Sequence, residues 1–234
     1  MIFITTLLVV LVLYGLFMSP YVQLFGKYPY KIDTTEKIVA LTFDDGPNGR
    51  DTEMLLDVLK RHNVKATFFV VGSCINRWPK LLARIATENH TVGVHSMKHR
   101  FRDYFVPGQF MKEVKQLLLL IERKVGKRPQ LMRTPWLWRQ PAMLHQARKL
   151  RLLPVSGVFC HPLEVFGATP EKIARQAIKQ AKPGRILIFH DGKEGVGGDR
   201  SRTVRAVEIL ITSLQKQGYK FVTVDKLLSV SPYL

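Results

Sequence analysis

From residue 38 to residue 224, short apolar runs of β character alternate with segments whose apolar residues recur at helical spacing. The residues able to do chemistry stand at the ends of the β runs. That alternation points to parallel βα units, because a strand returns to the same end of a parallel sheet only through a crossover, usually a helix. Ile38 to Phe43, Ala66 to Val71, Thr91 to Val94, Leu131-Met132, Arg185 to Phe189 and Phe221 to Val224 read as strands, and Leu153 to Phe159 as extended chain. Asp51 to His62 places Met54, Leu55, Val58 and Leu59 at helical spacing. Pro79 to Thr87, Gln109 to Val125, Pro141 to Leu150 and Arg202 to Gln217 are further helices. Gly126 and Pro129 mark the end of the longest. Thr169 as N-cap and Pro170 at the first helical position start another, which ends near Lys182.

The first β run ends in Asp44-Asp45-Gly46-Pro47, and the third leads into His95-Ser96-Met97-Lys98-His99. Two His and one Asp, with coordination positions left open, form a ligand set for a divalent metal that activates water. Asp45, His95 and His99 are the candidate ligands, since an i, i+4 pair lets both imidazoles reach one ion. Zinc is the default for this set, and cobalt, nickel or manganese can occupy similar geometry. Neighbouring residues on extended chain point in opposite directions, so Asp44 and Asp45 can divide two roles. No G-x-S-x-G surrounds any serine, so Ser96 reads as a loop hydrogen bonder rather than a nucleophile.

These two segments are followed, in order, by Arg133-Thr134-Pro135-Trp136 and by Ile186-Leu187-Ile188-Phe189-His190-Asp191. Together they resemble the motifs of polysaccharide deacetylases of the NodB-homology type (carbohydrate esterase family 4), over roughly Lys37 to Leu228. The resemblance implies an α/β fold, a distorted and incomplete (β/α) barrel, with its site at the strand C-terminal ends. It implies Asp44 as general base, Arg133 as the guanidinium that orients this base, and His190 as the acid that protonates the leaving amine. It also implies an apolar lining of the acyl pocket at Leu187, for which plain core packing is the equal alternative. Trp136 and Trp138 suit either a sugar-stacking platform or core packing. The fourth motif departs from the family's Asp-Trp pair. Glu164 is the candidate for the Asp position and Val165 for the Trp, with His161 nearby as a loop residue or participant. The activity implied is metal-dependent removal of an N-acyl group from an amino-sugar glycan or a lipid-linked amino sugar. Two alternatives stay open: a glycan-binding module whose broken fourth motif has cost it catalysis, and an O-deacetylase using the same site.

Ile2 to Met18 is almost unbroken apolar sequence, and continuing through Val22, Leu24 and Phe25 reaches spanning length. No basic residue precedes it and no A-x-A cleavage pattern follows, so the reading is one uncleaved transmembrane helix. The chain then divides into a membrane anchor (1–26), a linker (27–36) and a catalytic domain (37–230). Lys27, Lys31 and Lys37 flank the apolar run only on its C-terminal side. That favours a cytoplasmic catalytic domain, against the family's habit of export. A net charge of +18 suits anionic partners. With no nucleic-acid motif, the charge reads either as a solvated basic surface that aids solubility or, given the apolar N-terminus, as a membrane-facing one. Cys74 and Cys160 form no spaced metal motif and read as unpaired thiols.

Overall fold

A computed structural model describes residues 2–234. Among these, one sheet has eight strands. In chain order they are β1 (Ile38–Asp44), β2 (Thr67–Val71), β3 (Thr91–Ser96), β4 (Leu131–Met132), β5 (Leu153–Pro154), β6 (Val158–Phe159), β7 (Ile186–His190) and β8 (Lys220–Val222). The order across the sheet is β5-β4-β3-β2-β1-β7-β6, every pairing parallel. β8 pairs Ile38–Ala40 of β1, opposite β7, along the stretch that β2 leaves free. This is the expected curled, incomplete (β/α) barrel.

The helices are α1 (Ile2–Phe17), α2 (Gly49–Arg61), α3 (Gly72–Arg77), α4 (Pro79–Thr87), α5 (Gln109–Val125), α6 (Pro141–Lys149), α7 (Pro170–Gln180), α8 (Ser201–Lys216) and α9 (Val224–Leu228). β2 is buried at every position, as expected of a strand covered on both faces. The main core joins Val39, Leu41 and Phe43 of β1 to the buried faces of α2, α5, α7 and α8. α5 stops at Gly126, whose φ of 73° is the left-handed cap glycine permits. Thr169 Oγ1 accepts from the Lys172 N–H at the start of α7.

Three expectations are corrected. Leu153–Phe159 is not one extended element: β5 pairs with β4 on one edge of the sheet and β6 pairs with β7 on the other. Residues 155–157 cross the open side of the barrel between them. Gly157 permits the crossing, because a Cβ there would meet Ile188 Cγ1 at 2.7 Å and Arg133 Nη2 at 3.1 Å. Val224 starts α9 rather than ending the last strand, and its N–H donates to Thr67 Oγ1.

The third correction concerns the N-terminus. No helix among the described residues is long and apolar enough to cross a membrane. α1 has 16 residues. At about 1.5 Å per residue it is about 24 Å long, short of the ~30 Å hydrocarbon core. The chain turns after Phe17: the N–H groups of Met18 and Ser19 both reach Tyr14 O, and Pro20 has no N–H to continue the ladder. Of the residues expected to lengthen the span, Phe25 packs against the main core and Val22 O is held by Arg139, while Leu24 stays exposed. Arg139 N donates to Phe17 O at 3.0 Å, Arg139 Nη1 donates to Val22 O, and the Phe17 ring stacks on Trp138 at 5.1 Å.

Candidate active site

β1 delivers Asp44 at its C-terminal end, and the next residue leaves the strand. Asp45 has φ of 74° and His99 φ of 52°, both in the left-handed region that non-glycine residues rarely occupy. Trp136 has φ of 55°. Each such residue costs on the order of 1–3 kcal/mol and persists only where its surroundings over-determine it. Here all three line the same cavity, of about 520 Å³, together with Asp44, His95, Glu164 and His190.

Asp45 Oδ1 lies 3.3 Å from His95 Nε2 and 2.9 Å from His99 Nε2. All three side chains are buried, and their ligand atoms lie within 4.8 Å of one another. His95 Nδ1 sits 2.7 Å from the Arg133 carbonyl, which can only accept. The Nδ1 proton is therefore fixed there and the Nε2 lone pair faces Asp45. Asp45 Oδ1 accepts no directed hydrogen bond among the described residues, while Glu194 N donates to Oδ2 at 2.9 Å. Three lone-pair atoms converging on one point, one of them an orphaned buried oxygen, fit a divalent cation. Burial works against ionising Asp45. Imidazoles that carry a proton on Nε2 donate to it, and that donation with the charges of His99 and His190 outweighs burial and holds this carboxyl well below the usual carboxylate range; a cation takes the place of those protons. Ser96 Oγ accepts from His99 N at 2.8 Å and so shapes the turn between the two histidines.

Asp44 Oδ1 accepts from Arg133 Nη1 at 2.9 Å. Arg133 is fully buried, and each of its guanidinium nitrogens has a partner. Nη1 also donates to Thr42 Oγ1 at 2.6 Å, Nε to Val155 O and Nη2 to Ser156 O. A guanidinium satisfied this fully has one place to be. Across the cavity, His190 Nδ1 donates to Glu164 Oε2 at 2.6 Å. Glu164 Oε1 accepts from Thr203 Oγ1 at 2.6 Å. Burial acts to lower the His190 pKa. The charge and hydrogen bond of Glu164, with Asp45 and Asp44 behind them, overcome burial and raise it to about 9. The glutamate of the divergent fourth motif thus makes the contact that an imidazolium requires. Asp191, next in sequence, is pushed up to about 7 by burial and then by the charge of Asp45, and accepts from Thr52 Oγ1.

Trp136 lines the cavity, its ring 4.4 Å from that of His99. His161 also lines it, with Nδ1 accepting from Leu163 N. Trp138 does not line the cavity; it packs among Phe17, Phe101, Tyr104 and Phe105. Leu187 is a correction. It is fully buried in the main core and absent from the cavity wall. Successive side chains of β7 point to opposite faces, so Leu187 and Phe189 turn into the core while Ile188 shares the His190 face. Cys74 and Cys160 are free and buried, and burial pushes the Cys74 thiol up to about 12.

Sequence reading missed several residues. Thr42 lies two before Asp44 and so shares its face of β1, which strand alternation could have flagged. Phe159 lines the cavity with its ring parallel to His190, at 6.4 Å and 8°. Tyr14, Pro20 and Tyr21 line it as well, and nothing local in the N-terminal segment announces that.

The family model for polysaccharide deacetylases matches residues 31–155. The chain belongs to the polysaccharide deacetylase family. A peptidoglycan-N-acetylglucosamine deacetylase of Bacillus cereus is 33% identical over 204 residues, covering 87% of this chain and 93% of the relative. A chitooligosaccharide deacetylase of Bradyrhizobium sp. is 32% identical over 214 residues, covering 87% and 96%. Among solved structures, the Bc1960 peptidoglycan N-acetylglucosamine deacetylase superposes with a TM-score of 0.82 at 28% identity, covering 88% of this chain and 94% of that one. As a polysaccharide deacetylase, the chain is a hydrolase of non-peptide carbon–nitrogen bonds that removes acyl groups from amino-sugar glycans.

Proposed function

We propose that this polysaccharide deacetylase acts on N-acetylated glucosamine units, using Asp44 as base, His190 as acid and a zinc ion held by Asp45, His95 and His99. The cation would polarise the acyl carbonyl and make a bound water more acidic. Asp44, held by Arg133, takes a proton from the attacking water as its oxygen bonds to the acyl carbon. His190, charged through Glu164, gives its proton to the nitrogen as the carbon–nitrogen bond breaks. The products are a primary amine and a carboxylate. Trp136 and Phe159 offer ring faces to the sugar.

The carrying observation is that Asp44, held from behind by Arg133, the Asp45–His95–His99 cluster and the Glu164–His190 pair all bound one cavity. The His190–Glu164 contact removes the support for a catalytically impaired binding module. It also favours an amide over an ester, since an amine leaves only when protonated. For location we propose membrane association through α1 and the basic surface. Lys27, Lys31 and Lys37 favour the anionic inner leaflet.

The test uses the full chain supplied with zinc and an acetylated chito-oligomer. Acetate and primary amine should appear in equal amounts and disappear in Asp44→Ala. Activity persisting in that variant refutes the base assignment, and acetate without new amine refutes the amide substrate.

A further inference from the structure

α1 is apolar on every side and covered on none along most of its length. Ile4 and every residue from Leu7 to Tyr14 are exposed, Leu8 at 57% and Val12 at 58%. Consecutive residues point around the whole helix, so a protein groove, which covers one face, would leave the rest in water. A surrounding apolar medium covers all of it.

The base of this helix is built into the cavity mouth. Tyr14 of α1, with Pro20 and Tyr21, shares the cavity lining with Asp44 and Asp45. Exposed apolar side chains from separate segments continue the same rim. Phe166, 75% exposed, and Phe159 line the mouth. Exposed Phe105 touches Trp138, which stacks on Phe17 at the end of α1. Exposed cations stand close by in sequence, Lys27 after Tyr21, Arg102 before Phe105 and Lys98 beside the lining residue His99, and exposed Lys193 lines the cavity itself. Apolar tips interleaved with cations, on a chain of net charge +18, complement an anionic bilayer.

We propose that α1 and the rim form one lipid-facing surface that seats the cavity mouth at the headgroup level of an anionic membrane, and that the substrate is an N-acyl amino sugar carried on a membrane lipid. α1 enters the hydrocarbon without crossing it. The lipid portion of the substrate stays in the bilayer beside α1, and its sugar reaches past Tyr14 and Tyr21 to Asp45. The substrate half of this proposal rests on the deacetylase reading above.

The experiment uses the zinc-supplied full chain, mixed phosphatidylglycerol–phosphatidylcholine vesicles, vesicles of phosphatidylcholine alone, and N-acetylglucosamine presented either on a lipid anchor or as a soluble chito-oligomer. The chain should float with the anionic vesicles and much less with the neutral ones. It should deacetylate the anchored sugar faster by about 100-fold at equal sugar concentration, the order that confinement to one surface supplies. The double variant Leu8→Lys, Val12→Lys lies away from the cavity. It should lose flotation and the anchored-substrate advantage while keeping the soluble rate, which also shows that it folds. A wild-type chain that stays unbound, or that assembles into an oligomer through α1 and ignores vesicles, overturns the surface. Flotation with equal rates on both substrates overturns the lipid-borne substrate. Flotation with no turnover of either sugar overturns the deacetylase reading, and the substrate half falls with it.

Discussion

Glu164 Oε2 lies 2.6 Å from His190 Nδ1, a charged contact between two side chains 26 residues apart. Glutamate is one methylene longer than aspartate. Its other oxygen, Oε1, accepts from Thr203 Oγ1 at 2.6 Å, so both carboxylate oxygens are held. The pair defines when the acid can work.

Glu164→Gln keeps the shape and removes the charge that does most to raise His190 to about 9. An acid works only while protonated, so wild-type kcat should fall as pH rises through about 9. In the variant that fall should move acidward by about one to two pH units, with kcat at neutral pH lower by about 10²-fold. A kcat–pH profile with an unmoved alkaline limb would refute the role of Glu164. The same sign governs stability. A raised histidine pKa stabilises the fold fully below about 6.5. That contribution is lost as pH rises through about 9.

Removing a ligand should remove the ion. Asp45→Asn, His95→Ala and His99→Ala are each expected to carry far less zinc by elemental analysis than the wild type. Chelation should lower the wild-type Tm, because a ligand bound only to the folded state stabilises it. The variants' Tm should not respond to chelator. A chelator-sensitive Tm in all three would place the ion elsewhere.

Arg133→Lys should damage two properties together. Lysine carries one nitrogen where arginine serves Thr42, Asp44, Val155 and Ser156. Each buried acceptor left bare costs about 1–3 kcal/mol, so denaturant midpoints should drop. The base also loses its fixed orientation, so kcat should fall by more than KM rises. A variant with native stability and an unchanged kcat would show that the buried pair is dispensable.

Leu187→Ala separates core from pocket. It should cost about 2–5 kcal/mol in unfolding free energy, the range for deleting a buried leucine side chain. The KM of the folded fraction should hold. A KM change with little loss of stability would restore Leu187 to the acyl pocket.

The legible part of the fold was the part written in short-range pattern. Strand and helix periods, the cap at Thr169 and the stop at Gly126 all depend on neighbours within a few residues. The convergence of Asp45 with His95 and His99 could also be read, because the chemistry demands it. What could not be read depends on distant partners. The phase of β7 is invisible in a run as apolar as Ile186–Phe189, where either face would serve as core, and so the sequence leaves Leu187 equally open to pocket and core. The crossing at 155–157 depends on which strand edges remain open. The docking of Phe17 on Trp138 is one aromatic contact across more than a hundred residues. The apolar character of α1 was plain, whereas its end at Phe17 was set by the turn through Pro20.

Arg133 touches both halves of the hydrolytic centre, its carbonyl fixing the His95 tautomer and its guanidinium fixing Asp44. The proposed metal ligand and the proposed base are thus surveyed from a single benchmark. An engineer who wants another metal or a displaced nucleophile cannot tune one without dragging the other, unless the main chain at position 133 is first anchored by new means.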